Sequence, residues 1–411
     1  MINKNVLLTL FTRIFIIISG LATSILSARY LGVEGRGSYF FIITLAATIS
    51  QFANLGLGSS NTYYVARNES ISKKLIVNSL WVSVIIGLLA SVIVISLNQH
   101  SFLNQKTNVR GSLVWYAMII GPSILFYMLA SNILIGLNRI ATFNLYQIFY
   151  TLLGLLFICI NIYVGASLKG FLIASGLSAA ITAIFLLFSL GPLKLSELKF
   201  DVLIFTKGIS FAFKAYLITL LGFLLLRVSI FLITSYHSDI ELGYFSIATQ
   251  IFDSLSIIPT SIALVLFPQL VKAGSKRWDD LKKNIFLISL IMFAAIFITA
   301  LFCKWFIQTL FGEEFIPSVY VTYYLLPGVL FYSLITVLSQ FIAADGMPYQ
   351  IVIIWVIGLT TVLVLGYLYI PGQGAVGAAL AQSIAYFVTF TLMFGLALSR
   401  RRNTIQNLIE K

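Results

Sequence analysis

The sequence predicts an all-α integral membrane protein: 12 transmembrane helices in two six-helix bundles around a central cavity, with N and C termini cytoplasmic. Three observations carry this expectation. Hydrophobic residues make up 60% of the 411 and charged residues 9%, leaving more apolar surface than a water-soluble globule can hide. Apolar runs of about 20 residues recur, each long enough as a helix to cross the hydrocarbon. Finally, Lys and Arg crowd the alternate connections between these runs, as membrane orientation requires.

The expected spans are 7–28, 37–58, 75–97, 112–135, 142–164, 168–190, 208–236, 243–267, 285–307, 317–342, 349–370 and 375–398. The first run has no small-residue cleavage site and leads into further spans, so it reads as a retained span. With the N-terminus inside, cytoplasmic segments hold 17 Lys and Arg and outer segments 6. That asymmetry fixes the expected topology.

The net charge of +13 follows from these connections. No large polar domain or basic groove lined by aromatics accompanies it, which argues against nucleic acid as a partner. Cys159 and Cys303 fall in separate spans, and His100 and His237 stand alone, so no metal site or disulfide framework is expected. A phosphate-cradling Gly-Lys-Ser/Thr loop and a recognisable nucleophile–base motif are also missing. The chain does not read as an enzyme and is expected to need no cofactor, its energy coming from an H⁺ or Na⁺ gradient or from downhill use of its product.

A stretch mixing Leu, Phe and Ile with Lys, Glu and Asp precedes the seventh span, and its composition suits a short helix lying in the interface. It divides the chain into an N-terminal bundle (1–190), a cytoplasmic amphipathic linker (191–207) and a C-terminal bundle with a basic tail (208–411). The halves look like a distant repeat. Tyr39, Phe40 and Ile42 match Tyr244, Phe245 and Ile247 at an offset of 205. An even number of helices per half makes the repeats parallel, an arrangement in which transporters hold substrate between the halves.

Several short stretches, in order along most of the chain, resemble the Wzx-type polysaccharide and O-antigen flippases of the multidrug/oligosaccharidyl-lipid/polysaccharide exporter superfamily. They are Ala28-Arg-Tyr-Leu-Gly-Val-Glu-Gly-Arg-Gly-Ser-Tyr39, Phe52-Ala-Asn-Leu-Gly-Leu-Gly58, Leu134-Ile-Gly-Leu-Asn-Arg139, Glu241-Leu-Gly-Tyr-Phe-Ser-Ile-Ala248, and Ile258-Pro-Thr through Leu266-Phe-Pro268. The resemblance implies export of undecaprenyl-pyrophosphate-linked sugar repeat units across the bacterial inner (plasma) membrane. It also implies work alongside a polysaccharide polymerase and a chain-length regulator. The family often carries Arg-x-Asp in span seven, where this chain has Arg227-Val-Ser229, and Ser210 replaces a Pro common at that span's start. An ion-coupling role borrowed from that acid therefore does not transfer.

Four charged residues inside spans are candidates for the mechanism: Arg13, Lys214, Arg227 and Asp253. A charge at the centre of a span costs about 2.5–3.5 kcal/mol even on a lenient scale, so such residues face a bundle interior or a watery cavity. Arg13 and Lys214 lie at matching depths in spans one and seven, about 9 Å from the cytoplasmic ends. There they suit a lipid pyrophosphate, or they snorkel to the inner interface. Arg227 and Asp253 are expected at a common depth, as a structural ion pair or as a pair that opens while Asp253 takes a proton or Na⁺, and Arg227 also counts among the candidate cations for the pyrophosphate or sugar. Arg29, Glu34 and Arg36, in the first outer connection, either meet the exported sugar or are solvated loop charges. Rival functions are an ion-coupled multidrug antiporter, which needs acids to meet cationic drugs, and a lipid II flippase.

Overall fold

The computed structural model describes residues 4–97, 108–191, 197–273, 277–344, 346 and 348–409. His100, Lys106, Lys194, Lys276, Lys411 and linker residues 192–196 lie outside this set. Every regular element among the described residues is helical, as the backbone must be where water cannot satisfy its N–H and C=O groups.

Helix α1 runs Lys4–Ala53, α2 Leu57–Arg67, α3 Ser72–Trp81, α4 Gly87–Leu97, α5 Asn108–Gly136, α6 Ile140–Val164 and α7 Leu168–Ser189. They are followed by α8 Val202–Tyr236, α9 Asp239–Lys272, α10 Arg277–Leu310, α11 Ser318–Ala344 and α12 Tyr349–Ile409. A π-turn, Val82–Ile86, joins α3 to α4 into the single expected third span. Ten helices among the described residues are long and apolar enough to cross a membrane.

Two of these ten cover 43 and 53 residues, far beyond the ~20 that one crossing takes. Each is broken by a glycine in a conformation that L side chains resist: Gly32 at φ 65° in α1 and Gly374 at φ 56° in α12. At the second break the Glu241 carboxylate accepts the Ala375 N–H at 2.8 Å. A Cβ on Gly374 would collide with that carboxylate. The expected second span also ends earlier than its hydropathy implies. Leu55 and Gly56 turn left-handed after Ala53, and Asn54 caps the restart by accepting from the Leu57 and Gly58 amides.

The chain forms two compact units, Met1–Leu220 and Leu221–Lys411. The division falls within α8, whereas the sequence places the start of the second half at residue 208. The first turns of α8 pack on the first unit because Phe211 stacks on Tyr63 at 4.1 Å and the Tyr216 hydroxyl donates to Phe52 O at 2.9 Å. In this unit α5 is central, burying Leu125, Leu129, Ile133 and Leu134 against α1, α2 and α7. Polar side chains join helices where apolar packing gains little over lipid: Ser50 donates to Gly121 O at 2.8 Å, and Asn61 to Ser79 at 2.9 Å. In the second unit α11 is central and packs on α9, α10 and α12.

Of the linker's described residues, 202–207 are helical as the first turns of α8 and 198–201 are not. Residues 198–201 form a strap lashed to α3. Asn78 donates to Asp201 O at 2.9 Å and accepts from its N–H at 2.8 Å, and the Trp81 indole donates to Leu198 O at 2.9 Å. Lys73 pairs with Glu197 and Lys74 with Asp201, at 3.1 and 3.0 Å. With these backbone groups satisfied from outside, a helix has nothing further to offer them.

Two outcomes follow for the strap. Asn78→Ala removes two hydrogen bonds, each worth about 1 kcal/mol net, and should accelerate tryptic cleavage after Lys199 several-fold. The Asp201 carboxyl is held below its usual range, first by the Ile204 N–H and then by Lys74. Its contribution is therefore present above the ordinary value of about 3.9 and lost as pH falls through the lower folded value. Amide exchange at Asp201 and Ile204, corrected for intrinsic rate, should stay slow at neutral pH and speed up only below about pH 4.

Candidate functional site

The charges within spans divide between the two units. In the first, Arg13 on α1 is partly exposed, between the outward Phe11 and Ile14 and next to the buried Thr12. Lys214 on α8 is partly exposed as well, one turn beyond Phe211. Arg29 and Glu34 are exposed near the Gly32 break.

Arg36 departs from the expected exposed loop. It is buried and donates to the Ser27 and Ser24 hydroxyls at 2.7 and 3.0 Å. Its guanidinium also stands 5.9 and 5.8 Å from the Tyr39 and Phe40 ring centres. Helix α1 continues through the expected connection with only Gly32 to turn it, so Arg36 folds back and ties its two arms together. It is a clamp within α1 and is not positioned to meet a sugar from outside. Arg29, by contrast, is exposed.

The second unit holds an ion pair within its spans. Arg227 Nη2 on α8 meets Asp253 Oδ2 on α9 at 2.8 Å. Arg227 thus points toward α9. The pair is backed by aromatic rings. Phe252 stacks on Tyr386 at 5.6 Å, and Tyr332 stands 5.4 and 5.5 Å from the two. Both tyrosines lie within electrostatic reach of the pair.

Gln382 completes the cluster by donating to the Tyr386 hydroxyl at 2.7 Å and to Leu226 O at 3.2 Å. Side chains from α8, α9, α11 and α12 thus meet at one polar node. The node is not sealed: 42% of the Asp253 side chain remains exposed against 22% for Arg227.

Tyr332, Tyr386 and Gln382 were not legible as site residues from the sequence. The one available signal is the spacing of Gln382 and Tyr386, four residues apart on one helix face, in an otherwise apolar run. Among the described residues no cluster of three or more His, Cys, Asp or Glu stands where it could hold a metal ion.

Residues 26–320 match the model of a family described as "Polysaccharide biosynthesis protein". The chain belongs to that family. The matched range includes Arg29, Arg36, Lys214, Arg227 and Asp253 and leaves Arg13 outside. No curated protein sequence matches the chain.

Solved structures share the fold at low identity. One is an inward-facing multidrug resistance MATE family transporter of the MOP superfamily, at 17% identity and TM-score 0.75, covering 94% of this chain and 95% of that one. The lipid II flippase MurJ, in an inward closed conformation, aligns at 16% identity and TM-score 0.70 over 98% of this chain and 91% of its own. A MOP superfamily transporter from Pyrococcus furiosus, described as having a binding pocket of reversed polarity, gives 18% identity and TM-score 0.68 over 98% and 99%. This polysaccharide biosynthesis family member is thus a multi-pass membrane protein with the fold of MOP superfamily transporters. The resemblance read from its motifs holds at that level.

The Arg227–Asp253 pair makes an asymmetric prediction for this family member. Asp253→Asn strands a guanidinium inside the bundle and should destabilise the protein by up to about 3 kcal/mol, at the low end for broken buried pairs because Asp253 is partly open. Arg227→Met combined with Asp253→Leu should restore most of the loss, since removing both charges leaves none uncompensated. Thermal unfolding of the purified protein, followed by tryptophan fluorescence, distinguishes this from a double variant less stable than the single.

Proposed function

We propose that the chain is a flippase for undecaprenyl-pyrophosphate-linked oligosaccharide repeat units, serving O-antigen, capsule or exopolysaccharide assembly at the bacterial inner membrane by alternating access. The observation that carries this reading is the balance of charge inside the spans. Asp253, the carboxylate set deepest within a span, is committed to Arg227 at 2.8 Å. Arg13 and Lys214 then give the spans a net positive character, which suits a pyrophosphate and disfavours a cationic drug.

In this reading α1 and α12 each supply two spans, divided at Gly32 and Gly374, for a total of twelve with both termini cytoplasmic. Arg13 and Lys214 engage the pyrophosphate from the cytoplasmic leaflet, and Arg29 meets the sugar at the outer end. The Arg227–Asp253 pair opens during the cycle as Asp253 takes a proton or Na⁺, coupling transport to the gradient. A polysaccharide polymerase and a chain-length regulator receive the product.

A second reading, ion-coupled drug antiport, draws on the open side of Asp253. Lipid II flipping shares the pyrophosphate chemistry and differs in the sugar. One set of strains separates the three. In cells deleted for the gene, the wild-type chain should restore surface polysaccharide. The Arg13→Ala/Lys214→Ala variant should not restore it while inserting into the membrane at equal level, and Arg13→Lys/Lys214→Arg should retain partial function. Full activity of the alanine pair refutes the charge role. Drug hypersensitivity of the deletion strain points to antiport, and rescue of a lipid II flippase depletion points to peptidoglycan.

A further inference from the structure

An apolar cavity of about 480 Å³ opens beside the π-turn, within the ~300–1,000 Å³ range typical of small-molecule sites. Trp81, Val82, Ile85 and Ile86 form its helical wall. Leu198 and Phe200 of the strap and Phe205 of α8 close the other side. It is open to the surroundings, with Trp81 41%, Ile85 48% and Phe200 37% exposed.

Its mouth adjoins an outward apolar stripe formed by Val84, Leu88, Leu89 and Val92. In a membrane that stripe faces lipid, so an occupant arrives from the bilayer. Trp81 marks the depth, its indole N–H spent on Leu198 O, as suits a ring at the hydrocarbon–headgroup boundary.

The rim is basic. Lys74 lies on the same face of α3 as Trp81, about 10 Å nearer the start of the helix, and Lys73 is beside it. Both stay open, 44% exposed for Lys73 and 60% for Lys74, despite their pairing with Glu197 and Asp201. Lys199 is exposed and lies in the strap between two lining residues, Leu198 and Phe200. Three lysines against two carboxylates leave this collar positive at the level of lipid headgroups.

We infer that this groove is a binding site for an anionic glycerophospholipid, one acyl chain lying in the cavity and the phosphate seated on the collar near Lys199. The site is independent of the flippase reading, because it is built from the strap and the π-turn and uses neither Arg13 nor Lys214. It gives the strap a ligand on which α3 and the start of α8 both close.

The test uses the full chain in phosphatidylcholine nanodiscs doped with a phosphatidylglycerol that carries a diazirine on one acyl chain. Adducts are expected on the peptides containing Trp81–Ile86 and Leu198–Phe205, suppressed by unlabelled phosphatidylglycerol and not by added phosphatidylcholine. Lys199→Ala, on an exposed strap residue, should lower occupancy about five-fold, the worth of one lysine at an anionic surface. Ile85→Trp, which fills the groove, should remove the adducts from protein that remains monodisperse. Equal labelling by a phosphatidylcholine probe, no effect of Lys199→Ala, or absence of adducts overturns the proposal. So does displacement by undecaprenyl pyrophosphate with none by phosphatidylglycerol, which would make the groove a seat for the substrate's tail.

Discussion

In hydrocarbon no charge or backbone dipole can be left to water, and most of what is distinctive in this protein follows from that constraint. Arg227 and Asp253 are its sharpest expression. At 2.8 Å each removes the cost of the other. Around them Tyr332, Tyr386 and Gln382 supply polar groups in a bundle otherwise filled with Leu, Ile and Phe. Deeper burial would raise the desolvation cost of the pair, and Asp253 keeps 42% of its side chain exposed.

The same constraint governs where the chain turns. A helix in lipid can be interrupted only where the freed N–H and C=O groups find other partners. At Gly374 the Ala375 amide is taken by Glu241, and the imidazole of His237 meets Ile370 O at 2.7 Å. The turn between α8 and α9 is thereby anchored to the break in α12. At Gly32 the analogous task falls to Arg36, which spans the bend through two serine hydroxyls. In both places a charged residue near a helix break serves the backbone or the bend before any ligand.

This explains which parts of the molecule were readable from sequence. Span positions follow from length and hydropathy, which act locally; those two properties place most of the described helices but miss that α1 and α12 continue past Gly32 and Gly374 and that α1 ends at Ala53. Arg227 and Asp253 could be matched because consecutive antiparallel helices fix their relative depth. Arg36 was misplaced because hydropathy cannot distinguish a loop arginine from one folded back across a bend onto serines nine and twelve residues upstream. Tyr386 and Gln382 were invisible because their partners lie on helices remote in sequence, and nothing local marks which apolar face turns inward. The strap reads as an amphipathic helix by composition; Asn78 and Trp81, more than a hundred residues upstream, impose a different geometry.

The strap bears on how α8 works. Its first turns belong with α1, α2 and α3 through Tyr216, Phe211 and the strap, while Arg227 belongs with α9 and the polar node. One continuous helix therefore carries contacts of both compact units, with the division between Leu220 and Leu221.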